Sequence, residues 1–165
     1  MKKNQFKLVT FSGMFEERNT DSLLKFSHLI CLDIDDVEDC NTAKSHLINQ
    51  INFKPLLLFI SPSGNGIKAV YRVSNITANQ VNQAYEYLAE LVESKLGLTV
   101  DRAPKSVVSG CFLPWDPEAY LNEEAEAVIS PKTKIASPHV PTITQPKDED
   151  LKKVEACVDY IEKSD

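Results

Sequence analysis

Two hydrophobic rhythms run along the chain. A period of two marks strands, whose successive side chains point to opposite faces; apolar residues recurring at three and four positions mark helices. Residues 5–11 alternate loosely and predict a first strand, residues 21–26 a short helix, and the apolar run from His28 to Ile34 a second strand. Ala43, Leu47, Ile48 and Ile51 recur at helical spacing, predicting a helix over 41–51 with Asn41 or Thr42 as N-cap. Leu56 to Ile60, after Pro55, is a continuous apolar strand; Ser61-Pro62-Ser63-Gly64-Asn65-Gly66 is a turn by composition, and strand alternation resumes from Ile67 to Val73. Two strands joined by so short a turn predict an antiparallel hairpin.

The strongest helix signal follows. Thr77 with Gln80 three residues on forms a capping box, Val81, Ala84, Tyr85, Leu88, Leu91, Val92 and Leu96 make one apolar stripe, and Gly97 supplies the stop. Leu98 to Val100 leads into Asp101, and residues 107–113 predict a further strand that Pro114-Trp115-Asp116-Pro117 ends. Between residues 130 and 147 four prolines interleave with Ser, Thr and Lys, the composition of an extended linker. Residues 148–165 regain helical periodicity, as at the start of a helical region that continues in a longer protein. The organisation expected is a domain over 1–129, a Pro-rich linker over 130–147 and a helical beginning over 148–165.

The bulk numbers narrow the class. At 165 residues, with 42% apolar and 25% charged positions, the chain is sized for one globular domain with its own core. No apolar run approaches the roughly 20 residues of a membrane span, and no apolar stretch follows the basic start as a signal peptide requires, so a cytoplasmic protein is expected. Cys31, Cys40, Cys111 and Cys157 show no Cys-x-x-Cys pairing and no clustering with the three histidines, which argues against zinc and against a disulfide framework. The formal charge of −6 argues mildly against non-specific nucleic-acid binding, which runs on Lys and Arg neutralising phosphates.

Candidate chemistry begins at Leu32-Asp33-Ile34-Asp35. On a strand, Asp33 and Asp35 project side by side, and two like charges that close raise each other's pKa unless a cation lies between them. A hard divalent ion with oxygen ligands relieves this; the competing reading is a solvated acidic loop that runs on through Asp36, Glu38 and Asp39. Ser63-Gly64-Asn65-Gly66-Ile67-Lys68 offers unobstructed backbone N–H groups, a hydroxyl and a lysine, the parts of a phosphate cradle, although the Walker A spacing is absent. The competing reading is a plain hairpin turn. Asp101 is either a third carboxylate or a turn residue. Trp115 and Tyr120 read as core and turn residues rather than base-stacking platforms.

In order along the chain, four segments resemble the VirE N-terminal domain family of bacterial mobile elements, itself similar to the archaeo-eukaryotic primase (primase-polymerase) superfamily. They are Leu32-Asp33-Ile34-Asp35, the turn from Ser61 to Lys68, the helix end Leu96 to Asp101, and the segment Cys111 to Tyr120. The resemblance spans roughly residues 5 to 125. It implies an α+β domain, a mostly antiparallel sheet with flanking helices and an RRM-like core. It further implies that Asp33, Asp35 and Asp101 are catalytic ligands of Mg²⁺ or Mn²⁺, and that Ser61, Ser63, Gly64, Gly66 and Lys68 hold the triphosphate of an incoming nucleotide. A single-stranded nucleic-acid template and a helicase-like C-terminal part or partner would complete the system.

Two positions depart from that pattern. Lys68 stands where superfamily polymerases usually have His, and Ser109-Gly110 stands where family members tend to have Arg, a bidentate phosphate contact. Arg102 or Lys105 is the expected substitute. Three functions follow: a primase-polymerase-like nucleotidyltransferase in replication of a mobile element; a non-catalytic nucleic-acid or nucleotide-binding adaptor of the same fold; and a haloacid-dehalogenase-type phosphatase, whose Asp-x-Asp pattern Asp33 and Asp35 also satisfy but whose fold needs a parallel sheet.

Overall fold

The computed structural model describes residues 7–129. The expected linker and C-terminal helical region, with His139 and Cys157, lie outside the described residues. The elements are β1 (Lys7–Val9), β2 (Gly13–Phe15), β3 (Leu23–Phe26), β4 (Leu29–Asp35), α1 (Cys40–Asn49), β5 (Leu57–Ile60), β6 (Ile67–Ser74), α2 (Val81–Leu96), β7 (Thr99–Asp101), β8 (Cys111–Leu113), β9 (Tyr120–Leu121) and β10 (Val128–Ile129). The domain is α+β. Its main sheet runs β7-β4-β6-β5-β9, every neighbour antiparallel, with β10 adding parallel to the end of β6. The expected β5–β6 hairpin is present. Because both neighbours of β4 are antiparallel, the phosphatase reading loses the parallel sheet it needs.

Strand alternation divides this sheet into two buried faces. Ile30, Leu32 and Ile34 of β4, with Ile67, Ala69 and Tyr71 of β6, face Leu47 of α1 and Ala84, Tyr85, Leu88 and Val92 of α2. On the opposite face Leu57, Phe59 and Val70 pack with Phe11, Cys111 and Leu113 of the segments around β1 and β8, which pair with each other. Burial on both faces explains why β5 reads as an unbroken apolar run. On β4 the second face is apolar only at its start. Further along, Cys31, Asp33 and Asp35 occupy it.

Local chemistry sets the ends. Helix α2 is preceded by a 3₁₀ turn, Ala78–Gln80, and the Gln80 side chain takes the Thr77 N–H at 2.9 Å, the expected capping box. Gly97, at φ +66°, ends the helix as expected. Helix α1 starts earlier than predicted: Asp39, not Asn41 or Thr42, is the N-cap, its Oδ1 accepting from the N–H groups of Asn41 (3.0 Å) and Thr42 (3.1 Å). The helix expected over 21–26 is instead a 3₁₀ turn, Thr20–Ser22, followed by β3, which pairs antiparallel with β2. Six residues close too few helical hydrogen bonds to offset nucleation, and β2 offers a strand to pair with. The strand expected over 107–113 is confined to its last three residues; before it, Ser109 N–H closes a turn on Ser106 O at 2.9 Å. Trp115 is 49% exposed and so is not the core residue expected, while Tyr120 is half-buried in β9.

Candidate metal and phosphate site

Register assembles the site. Asp33 on β4 stands opposite Asp101 on β7 and opposite Lys68 on β6, so three strands place a lysine and two carboxylates in one row. Asp35 follows two residues on, at the exposed end of β4. One oxygen from each of Asp33, Asp35 and Asp101 lies within 4.8 Å of the others. These aspartates, 2 and 66 residues apart along the chain, share one corner of the sheet.

The bonding of the cluster is incomplete. Lys68 Nζ pairs with Asp33 Oδ2, while Asp33 Oδ1 is buried without a hydrogen-bond partner. Asp101 Oδ1 accepts only the N–H of Ala103, at 2.9 Å. Burial first, and then the charges of Asp33, Asp101 and Asp36, raise the Asp35 pKa above its ordinary value, with Lys68 acting in the other direction. Burial disfavours the Lys68 ammonium, but the hydrogen bond and charge of Asp33 outweigh it and its pKa rises. Lys68 therefore stays charged and cancels one of three negative charges. The negative charge left over favours divalent cations, and carboxylate oxygens are the donors Mg²⁺ or Mn²⁺ takes. The residues fit such an ion.

Tyr85, which sequence reasoning missed, fixes the row from beneath. Its hydroxyl accepts the Asp33 N–H at 3.3 Å and donates to Asp101 O at 2.6 Å, stitching β4 to β7. Burial raises its pKa, so it remains a neutral phenol at working pH. Its position in the α2 stripe gave only a core signal, because its hydroxyl contacts depend on how the helix lies on the sheet.

The Ser61–Lys68 turn abuts the acidic corner. A Cβ on Gly66 would lie 2.8 Å from Ile34 O and 3.4 Å from Asp35 Oδ1, so only glycine lets the turn approach β4 this closely. Ser61 and Ser63 share a hydroxyl–hydroxyl hydrogen bond of 2.9 Å, and Ser61 is buried. The Gly64 N–H is already committed to Ser61 O at 2.9 Å, so the turn has fewer available donors than its composition suggests.

Arg102 is not brought to this corner, contrary to expectation. Its Nε donates to Glu86 at 2.8 Å, its Nη1 and Nη2 bind Glu93 at 3.0 and 2.7 Å, and Nη1 also reaches Val100 O. Lys105 is likewise held by Glu86, at 2.8 Å. Both cations tie β7 and the following loop to α2, because Glu86 and Glu93, two turns apart, lie on one face of that helix.

Beside Asp33 and Lys68 lies a cavity of about 30 Å³, lined also by Cys31, Tyr85, Ser109, Gly110 and Cys111. That volume admits a water-sized group. Cys31, two residues before Asp33, shares its face, the one sequence signal that pointed here. Its hydrogen bond with Cys111, and then burial, hold its thiol well above the ordinary range. Cys31, Cys40 and Cys111 are all free thiols.

Fold and site together define an α+β domain carrying a carboxylate cluster beside a glycine-containing turn. The model of the family described as BT4734-like, N-terminal domain, matches residues 1–121, and the chain belongs to that family. Neither a curated protein nor a solved structure matches the chain. No helix among the described residues is long and apolar enough to cross a membrane.

Proposed function

We propose that the domain is a primase-polymerase-like, metal-dependent nucleotidyltransferase module that acts on a nucleoside triphosphate and a single-stranded template in the replication of a mobile element. The observation that carries this reading is the convergence of Asp33, Asp35 and Asp101 around an unpartnered carboxylate oxygen, beside the Ser61–Lys68 turn. The succession of elements supports the finer fold reading. From β4 to β7 the chain runs strand, helix, strand, strand, helix, strand, and in space the fourth strand lies beside the first, the first beside the third and the third beside the second. That split arrangement is the ferredoxin-like plan on which an RRM-like core is built, and it fits the resemblance to VirE N-terminal and primase-polymerase domains.

In this reading the three aspartates are the catalytic ligands. Held by these residues, Mg²⁺ or Mn²⁺ would supply the charge stabilisation and hydroxyl activation of two-metal phosphoryl transfer. Lys68, paired with Asp33, orients that side chain at one side of the cluster. Ser61, Ser63 and Gly66 shape the wall against which the triphosphate lies. A helicase-like C-terminal part or partner would present the template strand.

A second reading, a nucleotide- or nucleic-acid-binding adaptor without turnover, is favoured by one observation: Lys68 is already engaged by Asp33. Primer extension and dinucleotide synthesis on single-stranded template with Mn²⁺ separate the two. Product that disappears in Asp33→Asn and Asp35→Asn, by about a hundredfold to a thousandfold for loss of one electrostatic contact in the transition state, supports the enzyme. Nucleotide binding that depends on both aspartates, with no product, supports the adaptor. No aspartate-dependent binding and no product sinks both.

A further inference from the structure

A triphosphate beside three carboxylates needs cations that are not already neutralised. Lys68 is bonded to Asp33, Arg102 to Glu86 and Glu93, and Lys105 to Glu86. Beyond the divalent cations of that reading, a side-chain cation for the phosphates has to come from elsewhere in the chain. The structure offers one beside the cavity, against Gly110, which with Ser109 forms part of the wall.

Gly110 has no left-handed backbone, since the positive-φ glycines among the described residues are Gly64 and Gly97. A larger residue there would instead have to displace two side-chain ends. A Cβ built on Gly110 would lie 2.7 Å from Leu8 Cδ1 and 2.9 Å from Arg18 Nη1. The place a side chain at position 110 would fill is thus occupied by the guanidinium of Arg18, brought in from the β2–β3 connection 92 residues earlier in the chain.

The Arg18 side chain belongs to an exposed residue and makes no hydrogen bond or ion pair among the described residues. Glu16 and Glu17 precede it, but neither carboxylate is bonded to it; Glu17 instead lies 3.5 Å from the Asn19 amide. Arginine is suited to this position because its planar fork contacts two phosphate oxygens at once and stays charged at any working pH. The 30 Å³ cavity between Gly110 and Lys68 accommodates a phosphate oxygen and not a base or sugar.

We infer that Arg18 is a phosphate-binding residue of the site, delivered from a different segment into the gap that Gly110 leaves, where it grips the β- and γ-phosphates of the nucleoside triphosphate on the side away from the Ser61–Lys68 turn. This rests on the nucleotide-binding reading given above. It makes the β2–β3 connection part of the site and assigns Gly110 a purpose: it keeps the seat of the guanidinium clear.

Calorimetric titration of the full chain with ATP, dATP and AMP in the presence of Mn²⁺ tests it. Wild type is expected to prefer triphosphate to monophosphate, and Arg18→Ala to shrink that preference about tenfold or more, the scale of one charged hydrogen-bond pair. Arg18→Lys should restore part of the preference, and Gly110→Ala, by displacing the guanidinium, should lower it in the same direction. If Arg18→Ala weakens ATP and AMP equally, or leaves the preference as in wild type while Asp33→Asn abolishes binding, the role of Arg18 is overturned and the nucleotide site stands. If wild type binds neither ATP nor dATP, both readings fall together.

Discussion

Two lysine–aspartate pairs lie in the described part of this domain, one buried and one half-buried, and they are finished to different degrees. Lys44 of α1 bonds Asp116 at 3.2 Å and also donates to Glu118 O. Asp116 in turn takes the Ile60 N–H on Oδ2 at 2.8 Å and the Glu118 N–H on Oδ1 at 3.0 Å. Every oxygen of that carboxylate is engaged, with both residues almost wholly inaccessible. The pair pins α1, the end of β5 and the Pro114–Glu118 turn together. Asp33 and Lys68 form the same ion pair, yet one Asp33 oxygen is buried without a partner and two further carboxylates stand beside it. A closed network is architecture. An open one, whose missing bond only an added group can supply, is where a ligand is stabilised by the fold rather than merely tolerated.

The sharpest way to break this contrast is to remove one partner from each pair. Asp116→Ala leaves the Lys44 ammonium buried and unpaired and should cost about 3–5 kcal/mol, read by denaturant unfolding. Asp33→Asn should cost far less, because that carboxylate is incompletely bonded in the native chain; an equal loss would show that the two pairs are structurally alike. Second in size is the response to Mn²⁺. At a hundred times its dissociation constant, an ion that binds only the folded chain stabilises by about 2.7 kcal/mol. That gain should appear in thermal unfolding of wild type and of Lys44→Met, and vanish in Asp35→Asn.

The smallest effect is a pH dependence confined to the open site. Because the Asp35 pKa is raised above 3.8, the fold holds that proton more tightly than the unfolded chain does. Its contribution is fully present below the unfolded value and is lost as pH rises through the folded one. The Asp35 contribution, read without metal as the stability of wild type relative to Asp35→Asn, should therefore decline as pH rises from about 4. Mn²⁺ should reverse it, because the ionised form is the ligand. A wild-type profile unchanged by Asp35→Asn would remove Asp35 from the account.

What could be read from the chain alone was what local pattern encodes. β4, β5, β6 and α2 were legible because each carries a long run of one period, and α2 also announces both its ends, at Thr77 and Gly97. The segment 21–26 was misread because its six residues suit either period and the decision is made by β2, a non-local partner. The N-cap of α1 was misplaced because Asp39, Asn41 and Thr42 are all capable caps and only geometry chooses. At the site, Asp33 and Asp35 follow from alternation. The arrival of Asp101 depends on β7 pairing with β4, and the diversion of Arg102 depends on Glu86 and Glu93 lying on the near turns of α2. Neither is written in spacing. Tyr85 reaches Asp33 and Asp101, and Arg18 comes to lie against Gly110, only after packing, so no window of sequence contains them together with those groups.

The pairing of Asp33 directly with Asp101 has a consequence for how the chain finds its shape. Like charges facing one another across antiparallel strands are unfavourable, whereas a slip of β7 by a single position would turn Asp101 to the other side of the sheet and relieve the repulsion. The native alignment is thus electrostatically the harder one to reach for a chain folding without metal. Divalent cations present while β7 docks would act as a template, rewarding the correct alignment and leaving the slipped one unassisted.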